Sequence, residues 1–323
     1  MVIDVFKSIE RELTAVDTYF LSSAPTDVAL VWASAQAIVQ SGGKRVRPAL
    51  VLLSSQLFQH DEARAIRLAS AVEMIHVASL LHDDVVDNAP QRRGMAATSV
   101  GYSNKVAILL ADYLLTQALL ELCKDDRVQY TRIISEATSH MALGQLKELE
   151  EQDNLDITME SYLRIITGKT AALFAACARL GALVGGAAPD EVEKMAAYGL
   201  NLGLGFQIVD DCLDLWGDAA ALGKPVGNDL LEKKFTLPLI HALRHASPAD
   251  VASIRAHLSN GHLESTRICE IRGILDGNGS REYALARARS YCGEARDCLA
   301  AFRPGPARTA LEDLVDYVIK RDF

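Results

Sequence analysis

The amino-acid sequence predicts an all-α fold, a bundle of roughly ten or more helices. Apolar residues recur at helical spacing along almost the whole chain, and no stretch alternates apolar and polar residues between hairpin dipeptides. We therefore predict no β-strand. The spacing i, i+3, i+4, i+7, i+8 is shown, for example, by Val106, Leu109, Leu110, Tyr113 and Leu114.

Proline and glycine mark the predicted helix boundaries. Ser247-Pro248 has the pattern of an N-cap followed by proline at the first helical position. Residues 277–280 (Gly-Asn-Gly-Ser) and 303–306 (Arg-Pro-Gly-Pro) predict turns. None of these breaks has the composition of a flexible linker, and no repeat period appears. We therefore predict a single domain over residues 1–323.

The composition and charge exclude several classes of protein. Among 323 residues, 33 Lys and Arg stand against 42 Asp and Glu, which gives a net charge of −9. Half of the residues are hydrophobic, which excludes low-complexity disorder and a collagen-like chain. The acidic balance argues against charge-driven nucleic-acid binding, which needs a clustered basic surface. We predict no nucleic-acid partner.

The sequence predicts neither a secretory signal nor a transmembrane segment. Acidic residues interrupt the first stretch, where a signal peptide needs an unbroken apolar run. The apolar stretches 106–123 and 171–188 contain Asp112 and Arg179, so we expect buried bundle helices. The six cysteines form no CxxC pair and no metal-ligand spacing with histidine. Reduced core thiols and a cytoplasmic location are the prediction.

Two clusters of aspartates follow apolar helical stretches, and the helix that leads to the first cluster is predicted to begin near Ala69. In each cluster the carboxylates occupy positions i, i+1 and i+4, and like charges at this spacing repel unless a counter-charge is present. Carboxylate oxygens without His or Cys are ligands that Mg²⁺ prefers, together with water and substrate phosphates. One such cluster could be a solvated helix end, but two favour a metal site. The clusters are Asp83, Asp84 and Asp87, and Asp210, Asp211 and Asp214.

Basic residues in short polar breaks could bind the phosphates that such metals hold. Arginine suits bidentate phosphate recognition and lysine acts as a point charge. His76 precedes Asp83 by seven residues and therefore shares its helix face, although a core histidine is the alternative. The basic residues are Lys44, Arg45 and Arg47 after a glycine pair, and Arg92 and Arg93 after the first acidic cluster.

Residues 217–235 interrupt the helical periodicity. Glycines and a proline break the pattern while Lys224, Asp229, Lys233 and Lys234 cluster. A charged loop beside a functional site is one interpretation, and a plain surface connection is the other.

Five motifs together resemble those of the trans-isoprenyl diphosphate synthases, also called polyprenyl synthetases. The resemblance extends from about residue 40 to about residue 240, and residues 317–321 are similar to many C-termini of the family. It implies an all-α bundle around a central cavity. In chain order, the motifs are GGKRVRP, SLLHDDVVDNAPQRRG, GKTAALF, GFQIVDDCLDLWGD and GKPVGNDLLEKKFTLPL.

The resemblance implies a prenyltransferase that uses Mg²⁺, with three ions per active site. Asp83, Asp87 and Asp210 would bind the ions that bridge an allylic diphosphate, and the other three aspartates would complete or orient that shell. The departing diphosphate would be neutralised by Arg92, Lys169, Lys224 and Lys234. Isopentenyl diphosphate would be held by Lys44, Arg47, His76 and Arg93.

The family mechanism implies that the allylic C–O bond ionises and the double bond of isopentenyl diphosphate attacks the resulting cation. A proton is then lost to the released diphosphate, so no protein base is needed. Lys169, Thr170 and Gln207 would be the catalytic residues. Thr170 and Gln207 would direct oxygen dipoles at the cation, with helix packing as the alternative for each.

Two segments depart from the family pattern. Where the family usually has Gly-Glu-x-x-Gln, residues 144–148 read Gly-Gln-Leu-Lys-Glu, which puts a site role for Gln145 or Glu148 in doubt. Ala111 replaces a usual glycine before Asp112, a change expected to adjust only helix packing.

The residues before the first acidic cluster bear on product length. Ala78 and Ser79 are small where short-chain members of the family carry aromatic residues that stop elongation. The next barrier on that face is Ile75, about 12 Å below Asp83 along the helix. The sequence therefore predicts a product longer than farnesyl diphosphate, from geranylgeranyl to a medium or long chain, unless another helix supplies the floor.

Two other functions stay open on the sequence alone. A terpene cyclase or squalene-type synthase also uses paired acidic motifs, but the basic set assigned to isopentenyl diphosphate speaks against it. A non-catalytic subunit of a heteromeric synthase could lose metal ligands, whereas both clusters are intact. By analogy with other all-α folds of this kind, we expect a homodimer.

Overall fold

More than ten helices form the fold, as predicted. The computed structural model describes residues 5–40, 42–87, 91–92, 95–96, 103–217, 226–259 and 265–321. A 3₁₀ turn at Lys7–Ile9 precedes α1. The helices are α1 Glu10–Ser22, α2 Ala29–Gln40, α3 Val46–Gln56, α4 Glu62–Val86, α5 Asn104–Cys123, α6 Val128–Glu150, α7 Met159–Ile166, α8 Ala172–Val184, α9 Pro189–Trp216, α10 Asn228–Leu231, α11 Leu237–His245, α12 Pro248–Ser259, α13 Ser265–Gly277, α14 Ser280–Leu299 and α15 Pro306–Ile319.

Helices begin and end where a side chain or a special backbone conformation satisfies the unpaired backbone groups of the terminal turn. Ser247 Oγ accepts a hydrogen bond from the Asp250 amide at 3.2 Å, which confirms the predicted N-cap of α12. Gly279 has φ +66° in the predicted turn between α13 and α14. The predicted start of α4 near Ala69 is wrong. The helix begins at Glu62 because Asp61 caps it, accepting from the Arg64 amide at 3.1 Å.

The prediction of no strand is wrong at one point. Gln91–Arg92 and Met95–Ala96 pair as a minimal antiparallel ladder. Strands of two residues are too short to show the alternating pattern by which a strand is recognised in a sequence.

One continuous apolar core joins the helices. The central helices α3, α4, α8 and α9 contribute fully buried residues such as Leu50, Leu68, Phe174 and Leu202. Helix α4 packs against α3 and α5, and α9 packs against α8 and α14. The two aspartate clusters therefore lie at the ends of long helices that are fixed by this core.

Three helical stretches among the described residues are long and apolar enough to cross a membrane, judged by length and composition alone. They are Glu62–Val86, Asn104–Cys123 and Met159–Val184. Within the fold, 67% of the apolar window is buried in the first and third, but only 39% in the second. Packing in the bundle accounts for the apolar character of the first and third, and α5 keeps an exposed apolar side.

The cysteines only partly follow the prediction of core thiols. All six are free, and Cys177, Cys212 and Cys292 are buried. Burial raises the pKa of each of these three thiols to about 12, which keeps them protonated. Cys123 and Cys269 are exposed, because they lie on outward faces of their helices.

Candidate active site

The first aspartate cluster lies at the C-terminal end of α4. The amide of Asp87 donates to the carbonyl oxygen of Asp83 at 2.8 Å, which closes the last turn. Asp84 is buried, whereas Asp83 and Asp87 are half-buried. The Asp87 carboxylate accepts a hydrogen bond from Lys234 Nζ at 3.0 Å. The Lys234 ammonium therefore supplies a counter-charge that reduces the repulsion among the closely spaced aspartates.

The second cluster lies near the end of α9 and is more deeply buried. Asp211 is only 4% exposed and Asp214 only 1%. Tyr162 donates to Asp211 Oδ2 at 2.6 Å, and Gln207 donates to Asp211 Oδ1 at 2.8 Å. Asp214 Oδ2 accepts from the Asp229 amide at 3.0 Å. The segment around Asp229 therefore lies beside the site, which excludes a plain surface connection for residues 226–234.

The outermost aspartate of this cluster contacts the C-terminal segment. Asp210 has a side chain that is 43% exposed, and its Oδ1 lies 3.0 Å from Arg321 Nη2. The Arg321 guanidinium also lies over the Phe206 ring, 4.3 Å from its centroid. Arg321 Nε and Nη1 are buried without a hydrogen-bond partner among the described residues. The guanidinium thus keeps unused donors next to a carboxylate.

Lys234, which binds Asp87 of the first cluster, shares a glutamate partner with Lys169. Glu148 Oε2 lies 2.6 Å from Lys169 Nζ and 3.8 Å from Lys234 Nζ. Burial alone would lower the pKa of Lys234, but Glu148, Glu232 and Asp87 outweigh it and raise that pKa. Lys234 is therefore a cation held by carboxylates at the site, and Lys169 is paired with Glu148.

A cavity of about 100 Å³ brings together the three residues predicted to be catalytic. Thr170 Oγ1 donates to Gln207 Oε1 at 2.7 Å. Thr170 lies in a π-helical turn, Thr167–Ala171, between α7 and α8. Such turns are rare and occur frequently at functional sites. The lining includes Lys169, Thr170, Gln207, Asp211, Tyr162 and Lys234.

The π-helical turn is pressed closely against α6. A side chain at Gly144 would place its Cβ 2.5 Å from the backbone nitrogen of Lys169. Only glycine permits this approach, and it brings Glu148, one turn further along α6, within reach of the Lys169 ammonium.

Two predicted ligands of isopentenyl diphosphate, Arg47 and His76, contact each other, and Lys44 lies beside Tyr317. Arg47 Nη1 lies 3.0 Å from His76 Nε2, and because a guanidinium only donates, Nε2 accepts and the ring proton is on Nδ1. Lys44 Nζ lies 5.5 Å from the centroid of the Tyr317 ring. Burial, followed by the charge of Arg321, lowers the pKa of Lys44. An anion placed here would relieve that repulsion.

Three other predicted ligands are not placed by the described side chains. The backbone of Arg92 lies in the first strand of the ladder, and its side chain is outside the description. Arg93 and Lys224 lie outside the described residues.

The chemistry of the donor set fits Mg²⁺. Among the described residues, no group of three or more His, Cys, Asp or Glu side chains converges as a ready-made metal cage. Mg²⁺ does not require one, because it usually takes one or two carboxylates plus water and substrate phosphates. Asp87 and Asp210 each bind a basic side chain where a cation could replace it.

Burial of Asp211 predicts a pH-dependent stability. Burial, reinforced by Asp210 and Asp214, raises the pKa of Asp211 from 3.8 to about 7 against the hydrogen bonds from Tyr162 and Gln207. The folded state thus binds this proton more tightly than the unfolded state does. The stabilisation is complete below the unfolded pKa and is lost as the pH rises through about 7.

We expect the melting temperature of the metal-free protein to fall between about pH 4 and about pH 7. The fall should be smaller in Asp211→Asn, because the amide cannot ionise. Thermal unfolding followed by circular dichroism in chelator-treated buffers measures both curves. Parallel curves for the two proteins would contradict the assignment of the pH dependence to Asp211.

The sequence analysis missed or doubted three residues that the structure brings to the site. Glu148 was in doubt because acid and amide are exchanged in its motif, yet it contacts both lysines. The sequence did place a carboxylate, Glu148, one helical turn after Gly144, and this spacing could have indicated a role at the site. Tyr162 carried no signal, since its partner Asp211 is 49 residues away. Arg321 was predicted only as part of residues 317–321, which are similar to many C-termini of the family, and no role was assigned to it.

An all-α bundle with an acidic cluster at the end of each of two long helices and a set of basic residues beside them defines a class of diphosphate-handling enzymes. The family model for polyprenyl synthetase matches residues 28–274. The octaprenyl diphosphate synthase of Escherichia coli is 34% identical over 313 residues, covering 97% of this chain and 96% of the relative. The chain belongs to the polyprenyl synthetase family and is a prenyltransferase, as predicted.

Two solved structures share the fold over essentially the full length. A decaprenyl diphosphate synthase from Rhodobacter capsulatus is 33% identical with a TM-score of 0.93, covering 100% of both chains. A polyprenyl synthase from Caulobacter crescentus, complexed with calcium and isoprenyl diphosphate, is 32% identical with a TM-score of 0.95. That match covers 100% of this chain and 98% of the other. The predicted fold class is confirmed.

Proposed function

We propose that this protein condenses isopentenyl diphosphate with an allylic diphosphate in a Mg²⁺-dependent reaction. The product is an all-trans polyprenyl diphosphate longer than farnesyl diphosphate, and diphosphate is released. One observation carries this proposal. Lys234 binds Asp87 of the first cluster and approaches Glu148, which holds Lys169 at the cavity beside the second cluster.

The two aspartate clusters would hold the metal. When bound, Mg²⁺ neutralises the diphosphate and so favours loss of the leaving group. Three ions per active site remain the proposed number. The carboxylates that would hold them are those of Asp83, Asp84, Asp87, Asp210, Asp211 and Asp214.

The leaving diphosphate would be bound by lysines that now contact carboxylates. Lys169 is bound to Glu148, and Lys234 to Asp87 and Glu232. A buried cation needs a partner, and a diphosphate offers more negative charge than one carboxylate. Arg92 and Lys224 complete this set in the proposal.

Isopentenyl diphosphate would bind beside the face of α4 that carries both His76 and Asp83. Arg47 and His76 are hydrogen-bonded to each other, so two of the proposed ligands of isopentenyl diphosphate lie side by side. Lys44 adds a point charge, and Arg93 completes the proposed set. Holding the double bond close to the cation is the principal contribution of these residues, since orientation replaces a bimolecular encounter.

Thr170 and Gln207 would stabilise the allylic cation. The Thr170 hydroxyl donates its hydrogen bond to the Gln207 amide oxygen. The lone pairs of Thr170 Oγ1 therefore remain available to stabilise positive charge in the cavity. The carboxyl of Asp211 is held by Tyr162 and Gln207. The proton lost in the last step therefore goes to the departing diphosphate in this proposal.

Product length is proposed from the small side chains below the first cluster. Ala78 and Ile75 are buried on α4, and neither is aromatic, so these two positions offer no aromatic stop to a growing chain. Two of the relatives named above are octaprenyl and decaprenyl diphosphate synthases. Chain-elongating relatives also favour an elongase over the cyclase or squalene-type alternative.

We also propose that the protein is a homodimer in the cytoplasm. Its six free cysteines suit a reducing compartment. The neighbouring helices α5 and α6 expose a set of large apolar side chains, as expected of an obligate interface. These are Ile108, Leu109, Leu120, Leu143, Leu146 and Leu149.

The dimer is tested by introducing charged side chains into that apolar face. We expect wild-type protein to sediment as a dimer and the double variant Leu109→Glu/Leu146→Glu as a folded monomer, because charge is excluded from an apolar interface core. Val28→Glu is the control, since Val28 is 46% exposed outside these helices. A dimeric double variant would exclude this face as the interface.

The reaction is tested by the consumption of isopentenyl diphosphate. Purified protein is incubated with labelled isopentenyl diphosphate and geranyl or farnesyl diphosphate, with Mg²⁺ or with a chelator. Mg²⁺-dependent label in an acid-labile prenyl diphosphate supports the elongase. Hydrocarbon formed without isopentenyl diphosphate would indicate the cyclase or squalene-type alternative. A folded but inactive protein would indicate the partner-subunit alternative.

A further inference from the structure

One basic residue of the glycine-led turn points away from the proposed substrate site. Arg45 lies between Lys44 and Val46, yet its side chain is only 8% exposed. Its Nη1 lies 2.6 Å from Glu73 Oε1, and its Nη2 lies 3.0 Å from Asp17 Oδ1. Arg45 therefore does not offer its charge to a substrate. It links α1, the turn and α4.

The backbone at Arg45 adopts an unusual conformation. Its φ of 45° and ψ of 33° are left-handed, immediately before α3 begins at Val46. A non-glycine residue pays a steric cost there, which persists only where surrounding contacts hold it. The two ion pairs of Arg45 supply such contacts. They fix the direction in which the chain enters α3.

Two neighbouring pairings join the turn to α4. Arg45 binds Glu73, and two residues later Arg47 binds His76. Glu73 and His76 lie three residues apart and therefore share one face of the helix. A shift of Arg45 relative to Glu73 would also move Arg47 relative to His76, and Lys44 on its other side.

The stability of the fold is not a sufficient reason for these buried charges. Glu73 is 4% exposed, and its Oε2 is buried without a hydrogen-bond partner among the described residues. Buried ion pairs often contribute little net stability, because desolvation offsets their attraction. What the pairing does supply is a fixed position for the residues next to it.

We propose that Arg45 is a positioning residue, which Glu73 and Asp17 hold so that Lys44, Arg47 and His76 converge on the diphosphate of isopentenyl diphosphate. This inference rests on the proposed function of those three residues. It assigns no contact with substrate to Arg45 itself.

The experiment measures binding and steady-state kinetics in Glu73→Gln and Arg45→Lys. Isopentenyl diphosphate is titrated calorimetrically without an allylic diphosphate, so no turnover occurs. We expect its Kd and KM to rise about tenfold in Glu73→Gln, since small misplacements of binding groups are costly. The KM for the allylic diphosphate should stay within about twofold. Arg45→Lys keeps the charge and should lie between wild type and Glu73→Gln.

Asp125→Asn is the matched control for loss of a partly buried ion pair on α4. Asp125, in the turn after α5, lies 3.1 Å from Arg64 Nε, and Arg64 precedes His76 on α4 by twelve residues. We expect this variant to melt earlier but to bind isopentenyl diphosphate as wild type does. If Asp125→Asn weakens binding as much as Glu73→Gln does, the ion pairs of Arg45 with Glu73 and Asp17 have only a general stabilising role. That result would overturn the proposal.

Arg47→Gln separates this inference from the proposed function. If Arg47→Gln binds isopentenyl diphosphate as wild type does, the proposed ligand set is wrong. If Arg47→Gln weakens binding while Glu73→Gln and Arg45→Lys do not, only the positioning role is overturned. In the Arg47→Gln background, adding Glu73→Gln should cost less than about half its effect in wild type, because coupled residues are not additive.

Discussion

Replacing Asp83 or Asp210 by alanine is expected to lower turnover by about 10³-fold or more while the protein stays folded. Each substitution removes a carboxylate proposed to hold Mg²⁺ against the leaving diphosphate. Neither side chain is part of the apolar core, and Asp210 is 43% exposed. The measurement is the rate of isopentenyl diphosphate incorporation at saturating Mg²⁺ and substrates.

Asp112→Ala is the control for loss of an acidic side chain near the first cluster. Asp112 is 61% exposed and lies 3.5 Å from His82 Nε2 on α4. Its removal should leave turnover within about twofold of wild type, since exposed ion pairs contribute little. Turnover of wild-type magnitude in Asp83→Ala and Asp210→Ala, with native circular dichroism, would contradict the metal assignment.

Ala78→Phe is expected to shorten the product. Ala78 is buried one turn or so below Asp83, where the growing chain is proposed to pass. A phenyl ring there would occupy space that the next prenyl units need, without touching the carboxylates. Mass spectrometry of the products should show the longest species replaced by shorter ones, with consumption of the first isopentenyl unit largely retained.

Ile75→Phe is the graded comparison. Position 75 lies about 4.5 Å deeper along the helix axis than position 78. It should therefore stop elongation later than Ala78→Phe. Overpacking costs about 1 to 3 kcal/mol, so the melting temperature of both variants is measured alongside. Identical product distributions in wild type and both variants would place the floor on another helix.

The helical architecture and the acidic clusters could be predicted because both are local patterns. Helical periodicity needs only neighbouring residues, and the i, i+1, i+4 spacing places three carboxylates within one turn wherever the helix lies. The cap at Asp61 was overlooked, so α4 was expected to begin too late. The two-residue strands offered too little sequence to show a pattern.

The long-range pairings of the site could not be predicted from spacing. Lys234 meets Asp87 across 147 residues, and Arg321 meets Asp210 across 111. Such contacts depend on how the helices pack, which no local pattern encodes. The same holds for Arg45. It is one of three basic residues in a single turn, and only the fold distinguishes the buried one from its neighbours.

The most direct test of the proposed elongase is the chain length of the product made by the wild-type protein. Purified protein is incubated with Mg²⁺, isopentenyl diphosphate and, separately, dimethylallyl, geranyl and farnesyl diphosphates, and the products are identified by mass spectrometry. We predict a ladder of all-trans prenyl diphosphates that ends at one length beyond farnesyl diphosphate. A reaction that ends at farnesyl diphosphate or earlier, or that yields no prenyl diphosphate from folded protein, would contradict it.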